Sequence, residues 1–259
     1  MKRRDFLNSM ARFGLSFSLI PGSQLLALET DGLKVQDMKL QLGMLQLGPS
    51  WNQRANSLNR LIGEVRRRCN IPINTRVAEV RTRDINSLTT PVLFLSGRDA
   101  FPVPSQAEAR QIRWILDSGG FLFFDDQDGG EHSPFYASAK TFMAKVFPET
   151  PEPMALPEDH TLYQSYYLLK QPRGRNARAD FLEGWNRGIT TPAMFSHNDL
   201  LGALEADASG NWRYNLEIGG GFRRELCFRL GINLMYYILT LNYKKDRAFP
   251  PILQRRRRQ

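Results

Sequence analysis

The sequence predicts an α/β domain built on a mostly parallel central sheet. Val92-Leu93-Phe94-Leu95 and Phe121-Leu122-Phe123-Phe124 are short, continuous apolar runs, as expected of strands covered on both faces. Between them lies a well-punctuated helix. Ser105 and Glu108 make a capping box, Ile112, Ile115 and Leu116 line one face, and Gly119-Gly120 ends it. After the second run, Ser133-Pro134 opens another helix, with Ala139, Phe142, Met143 and Val146 on one side. Strand, helix, strand, helix is the rhythm of parallel strands joined by crossover helices.

The remaining elements follow in order. Residues 38–47 read as a first strand and residues 52–69 as a helix. In that helix Leu58, Leu61, Ile62, Val65 and Cys69 share one face, and Arg66, Arg67 and Arg68 crowd the last turn, where cations suit the helix dipole. Residues 75–81 read as a second, partly exposed strand. The Pro-rich stretch 148–160 reads as a long loop, and 172–180 as an exposed, mobile one. Pro192 to Ser196 gives a further strand. Gly219-Gly220-Gly221 precedes an apolar helix over about 222–242. Arg229 and Asn233 mark that helix and it is short for a membrane span, so it is expected to pack on the sheet. One domain over 35–245 results, with no internal repeat.

Charge is unevenly placed. Of the net +9, residues 1–29 carry +2 and residues 244–259 carry +6, which leaves +1 for the body. The high pI belongs to the two ends, and a basic groove for nucleic acid loses its support. The Arg255-Arg256-Arg257-Arg258 run, within a tail at 246–259, reads as a solvated segment that can touch acidic lipid or an acidic partner. Cys69 and Cys227 each fall in an apolar helical pattern. Without a Cys-x-x-Cys or Cys/His cluster, zinc–thiolate and thioredoxin-like chemistry are excluded. The two read as buried free thiols, with a disulfide between them as the alternative.

The N-terminus has its own pattern. Arg3-Arg4-Asp5-Phe6-Leu7, followed by an apolar, lysine-free stretch from Ser9 to Leu28, resembles a twin-arginine export signal. Lys2 and Asn8 stand where that pattern usually has Ser or Thr and Lys. The resemblance implies a signal segment at 1–28 and a periplasmic or otherwise exported protein that crosses the membrane folded. If the segment is not cleaved, the protein stays membrane-associated.

Ligands of open parallel sheets bind beyond the carboxyl ends of the strands. Those ends hold Gly97-Arg98-Asp99, then the cluster Asp125-Asp126-Gln127-Asp128-Gly129-Gly130-Glu131-His132, then His197-Asn198-Asp199. The third histidine, His160, follows Glu158-Asp159 on the Pro-rich loop. The 125–132 cluster suits hard-cation binding or acid–base work by a carboxylate with a raised pKa. It equally suits a strand end that turns at Asp and Gly with surplus charge in water. Asp125, Asp126, His197 and His160 are the candidate catalytic residues, and the first three the candidate metal ligands. Trp51, Gly97, Asp99, Asp125, Asp126, Asp128, His197 and Asp199 are the candidate ligand-binding residues. No cofactor is required by these residues; a divalent metal is the one they suggest. The triple glycine lacks the Lys-Ser/Thr of a P-loop. Trp114 and Trp185 read as packing groups.

Leu93-Phe94-Leu95-Ser96-Gly97, the Ser105 helix, Gly119-Gly120-Phe121-Leu122-Phe123-Phe124-Asp125-Asp126, Leu156-Pro157-Glu158-Asp159-His160 and Arg229-Leu230-Gly231-Ile232-Asn233 resemble the bacterial domain of unknown function numbered 4159. The resemblance covers about 35–245. It implies a flavodoxin-like three-layer sandwich related to class I glutamine amidotransferases, and no settled activity. In those enzymes a nucleophilic Cys follows a buried strand on a tight elbow. Here the comparable place holds Asp125-Asp126, so the glutaminase reaction has no nucleophile.

Two functions compete. The first is a non-catalytic envelope protein that binds a saccharide, a peptide or a partner protein at the carboxyl edge. The second is a metal-assisted hydrolase using Asp125, Asp126, His197 and His160. A membrane-associated assembly factor, held by its termini, is a third and weaker reading.

Overall fold

The computed structural model describes residues 39–69, 71–85, 90–130 and 132–241. The chain divides into two units, residues 1–40 and 41–259, and the sheet belongs to the second. The expected signal segment at 1–28 and basic tail at 246–259 lie outside the described residues.

Among the described residues seven strands form one sheet. They are β1 (Leu42–Leu45), β2 (Ala78–Val80), β3 (Val92–Gly97), β4 (Phe121–Asp126), β5 (Met154–Ala155), β6 (Glu183–Arg187) and β7 (Thr190–Ser196). Their order across the sheet is β2-β1-β3-β4-β7-β6-β5. The first five run parallel, while β6 is antiparallel to both of its neighbours. The helices are α1 (Ala55–Cys69), α2 (Gln106–Asp117), α3 (Pro134–Val146), the short α4 (Leu200–Leu204) and α5 (Gly221–Leu239). The result is a flavodoxin-like three-layer sandwich.

Helices cover both faces because the central strands are apolar on both. On one face Leu93, Leu95, Leu122, Phe124, Ala193 and Phe195 pack against Ile112 and Ile115 of α2 and Ala139, Phe142 and Met143 of α3. The Ser105 capping box is formed, with both of its reciprocal hydrogen bonds. On the other face α1, α4 and α5 pack on one another, and Phe121 meets the Tyr237 ring of α5 edge-on at 6.1 Å. Each wholly buried Phe contributes about 1.5–3 kcal/mol by leaving water.

The expected helix over about 222–242 is α5, and it is buried along most of its length. Among the described residues no helix is long and apolar enough to cross a membrane. Both cysteines are free; Cys227 is buried in α5 and Cys69 is half-buried at the end of α1.

Four features depart from the sequence expectation, the first being Trp114, which is exposed on α2 rather than packed. Glu183-Gly184-Trp185-Asn186-Arg187 forms β6, although it holds no apolar run. An antiparallel strand near a sheet edge needs only alternate inward residues. Trp185 serves that need, packed on Phe124 with ring centroids 5.7 Å apart and donating from Nε1 to the Pro151 carbonyl at 3.1 Å. The 148–160 stretch contains the two-residue β5. The 172–180 segment is no freely exposed loop. Pro172, Gly174 and Asn176 are buried, and a Cβ on Gly174 would lie 2.0 Å from the Asn198 carbonyl oxygen.

Asn233, wholly buried on α5, clamps the segment after the 3-10 turn at Thr161–Gln164. Its Oδ1 accepts from the amides of Tyr166 (3.3 Å) and Tyr167 (2.8 Å). Its Nδ2 donates to the carbonyls of Leu162 (2.9 Å) and Tyr167 (2.8 Å). Asn233→Ala leaves these buried groups unpaired, at about 1–3 kcal/mol each where water cannot replace the side chain. The expected loss of stability, read from urea unfolding, is about 3 kcal/mol; a loss below about 1 kcal/mol contradicts the clamp.

Candidate binding cleft at the carboxyl edge of the sheet

β4 ends in two aspartates that face opposite sides, because side chains alternate along a strand. Asp125 turns toward α4. Its Oδ1 accepts from the Leu200 amide (2.8 Å) and its Oδ2 from the Leu201 amide (2.7 Å). Asp199, the residue before α4, is buried beside it in a left-handed conformation (φ 50°) that brings its carboxylate back over its own helix. Oδ1 of Asp199 accepts from the Gly202 amide at 2.9 Å. Arg54 grips both oxygens, Nε to Oδ1 and Nη2 to Oδ2, each at 3.0 Å. Arg175 adds its Nε to Oδ2 and donates from Nη2 to the Gln127 carbonyl at 2.7 Å. The Arg54 guanidinium also sits 4.0 Å above the Tyr214 ring. Burial, and then the nearby charge of Asp199, push the Asp125 pKa up to about 8 against the opposing Leu201, Leu200 and Ser196 hydrogen bonds. The carboxylates of this cluster are met by internal donors, although Arg54 Nη1 is buried without a hydrogen bond, and the cluster holds the edge together.

Asp126 turns to the α3 side. Its Oδ1 accepts from the amides of Asp128 and Gly129, both at 3.0 Å, and its Oδ2 is buried with no hydrogen bond. Burial raises its pKa, opposed by Ser133, by those two amides and by the charge of His197. Asp125 pairs with Ser196 across β4 and β7, which sets Asp126 beside His197. Glu183 of β6 pairs with Phe195, one position back on the same face. His197 Nε2 lies 3.1 Å from Glu183 Oε2, and the Tyr136 ring of α3 stands edge-on to the imidazole at 5.0 Å. Burial works against ionisation of Glu183, but hydrogen bonds from His197 and Tyr136 hold it below the ordinary carboxylate value.

This second group opens on a cleft of about 730 Å³ lined by Tyr136, Glu183, His197 and Phe181, by three arginines (Arg173, Arg178 and Arg223), and by Asp180 on the rim. Its size is that of a small-molecule site.

The residues singled out from sequence are thus divided. Asp126 and His197 come together beside the cleft; Asp125 and Asp199 come together behind the sheet edge as structural groups. Asp125 and Asp126 face apart, and among the described residues no three His, Cys, Asp or Glu side chains converge to hold a metal. Those donors do not fit a bound divalent ion. His160 belongs elsewhere. It is buried, its Nδ1 accepts from the Leu162 amide at 3.2 Å, and its Nε2 lies 3.4 Å from Thr191 Oγ1 near the start of β7, the amino end of that strand. Gly97 is packed against the Phe135 ring, and exposed Asp99 accepts from Ser50 Oγ at 3.1 Å. Trp51 is half-buried in the turn after β1, and Asp128 is exposed while its carbonyl accepts from Asn176 at 3.2 Å. None of these four lines the cleft. Glu131 lies outside the described residues.

Arg54, Arg175, Tyr136 and Glu183 escaped the sequence reading. Arg54, Tyr136 and Glu183 lie at or near the start of an element and Arg175 in a loop, places where a single charge or hydroxyl is common on surfaces.

The family described as Domain of unknown function (DUF4159) matches residues 38–239. The chain belongs to this family. The match runs from β1 to the end of α5, so both the buried ionic cluster and the cleft lie inside the DUF4159 domain. No curated protein matches the chain.

The raised Asp125 pKa sets a pH dependence. Between the ordinary carboxylate value and about 8 the folded state keeps a proton that the unfolded state has lost, so stability falls as pH rises through that window. Asp125→Asn removes the titration. Thermal midpoints of the wild type are expected to fall relative to the variant's between pH 5 and pH 8; parallel curves contradict the burial of an ionisable Asp125.

Proposed function

We propose that the chain is an exported, non-catalytic envelope protein whose amidotransferase-like sheet binds a peptide, a saccharide or a partner protein in the carboxyl-edge cleft. The observation that carries this reading is the cleft itself, which sets charged side chains on a largely apolar lining and has no Cys, Ser or Thr in that lining. At the elbow position Asp125 and Asp126 cap backbone amides. Cys69 and Cys227 sit on helices, and burial pushes the Cys227 thiol up to about 12 and raises that of Cys69. Neither supplies the thiolate that acyl transfer from glutamine needs. The Arg3-Arg4 pattern supports export, and the charged termini support peripheral contact with the membrane surface.

A second reading, a hydrolase, draws on the His197–Glu183 pair facing the cleft. There Glu183 orients the imidazole and His197 takes a proton from water. The expected metal does not enter this version, because its ligands do not converge.

Titration of the protein with peptide and saccharide fragments, beside His197→Ala and Glu183→Gln, separates the two. For binding, the expected outcome is about a tenfold weaker Kd in either variant, with no fragment consumed. Turnover by the wild type that vanishes in His197→Ala replaces the binding reading with the hydrolase. Export is tested by replacing Arg3 and Arg4 with Lys, which is expected to retain the protein in the cytoplasm.

A further inference from the structure

The cleft also carries information on the charge of its ligand, an inference that rests on the binding reading above. Arg223 lies in the first turn of α5 and is 8% exposed. Its Nε donates to the Gly174 carbonyl at 3.2 Å and its Nη2 to the Asn176 carbonyl at 2.7 Å. These carbonyls fix the plane of the guanidinium. Among the described residues its remaining N–H groups have no protein acceptor, and no carboxylate lies within ion-pair distance. A buried charge without a counterion is costly.

The surroundings add positive potential. The first turn of α5 holds no acid and Gly220 gives it no side-chain cap, although Gly219 to Phe222 are exposed and water screens that end of the helix. Arg173 lines the same cleft and has no carboxylate partner among the described residues. Burial, and to a lesser degree the like charge of Arg173, pull the Arg223 pKa down against the opposing charges of Cys227 and Glu217. The other charges of the lining are largely spent. Arg178 Nη1 pairs with Glu217 at 2.7 Å, and Glu183 pairs with His197. Asp180 stands exposed on the rim, where water screens it.

We infer that the cleft receives an oxyanion, the carboxylate or phosphate of a polar ligand, between Arg173 and Arg223 beside the N-terminus of α5. A guanidinium presents paired N–H groups at the spacing of two carboxylate or phosphate oxygens, and the locked plane of Arg223 preorganises that fork. The rest of the ligand extends along Phe181, Tyr136 and His197. About 730 Å³ holds a monosaccharide or a short peptide with its anionic group.

The test uses the full chain and three probes: glucuronate, glucose as its neutral counterpart, and inorganic phosphate. Binding is followed by calorimetry and by the arginine Nε–H resonances. Glucuronate is expected to bind at least about tenfold more tightly than glucose and to shift the Arg223 resonance. Arg173→Gln is expected to abolish most of that preference while leaving the thermal midpoint in place, since Arg173 is only half-buried. Arg223→Lys keeps the charge and loses the fork, so it is expected to weaken glucuronate less than Arg173→Gln removes. Phosphate binding without glucuronate binding assigns the group to a phosphate and still supports the inference. Measurable binding of glucuronate and glucose with equal affinity, or an unchanged glucuronate Kd in Arg173→Gln, overturns it and leaves the binding reading intact. If no probe moves the cleft resonances, the anion assignment fails. If the cleft instead turns over a substrate through His197, the binding reading fails on its own.

Discussion

Asp199 is the point on which the carboxyl edge depends. It is a buried anion at the junction of β7 and α4, held by two guanidinium groups and one amide. Arg54 reaches it from the start of α1 and Arg175 from the segment laid over the edge, while Arg175 also ties in the carbonyl of Gln127 after β4. Four stretches of chain are thereby fixed relative to one another. Removing one partner of such a pair leaves an uncompensated charge in a dry site, at about 3–5 kcal/mol. The left-handed backbone at Asp199 is part of the arrangement. Glycine would adopt that conformation more easily, but it would supply neither the anion nor the cap.

With the edge held in this way, the two ends of β4 and β7 serve different purposes on their two sides. The α1–α4–α5 side carries the buried Asp199 and Asp125 carboxylates, which are met internally by arginine and backbone donors. The α3 side carries His197, Glu183 and Tyr136 next to open space, with arginines whose charge is less fully matched. Alternation along two adjacent strands is enough to produce this division, since Asp125 and Asp126 are neighbours in sequence yet lie in separate environments.

The same alternation explains what the sequence could and could not disclose. Apolar runs such as Phe121 to Phe124 and the Ser105 capping box announce themselves locally, so the parallel core and its crossover helices were legible. β6 was not, because its stability comes from one inward Trp and from pairing with β7 rather than from its own composition. The segment 172–180 reads as polar and exposed because its arginines and asparagine are polar; only the fold supplies the buried carboxylate and carbonyls that receive them. Of the candidate site, Asp126 and His197 were visible as polar residues at strand ends. Glu183 and Tyr136 were not, since their importance arises from long-range pairing. His160 drew notice for its acidic neighbours, but its imidazole caps a turn at the other end of β7.

The span of the Arg54–Asp199 contact has a consequence for how the protein is made. The two residues lie 145 positions apart. Contacts at that separation contribute little until the intervening chain has been ordered, and they slow folding accordingly. During synthesis Arg54 and the start of α1 emerge long before β7 exists, so the nascent chain carries an arginine with no counterion and an α1 with nothing to dock against. The carboxyl edge, and the cleft that borders it, can be completed only after the ribosome has passed residue 199.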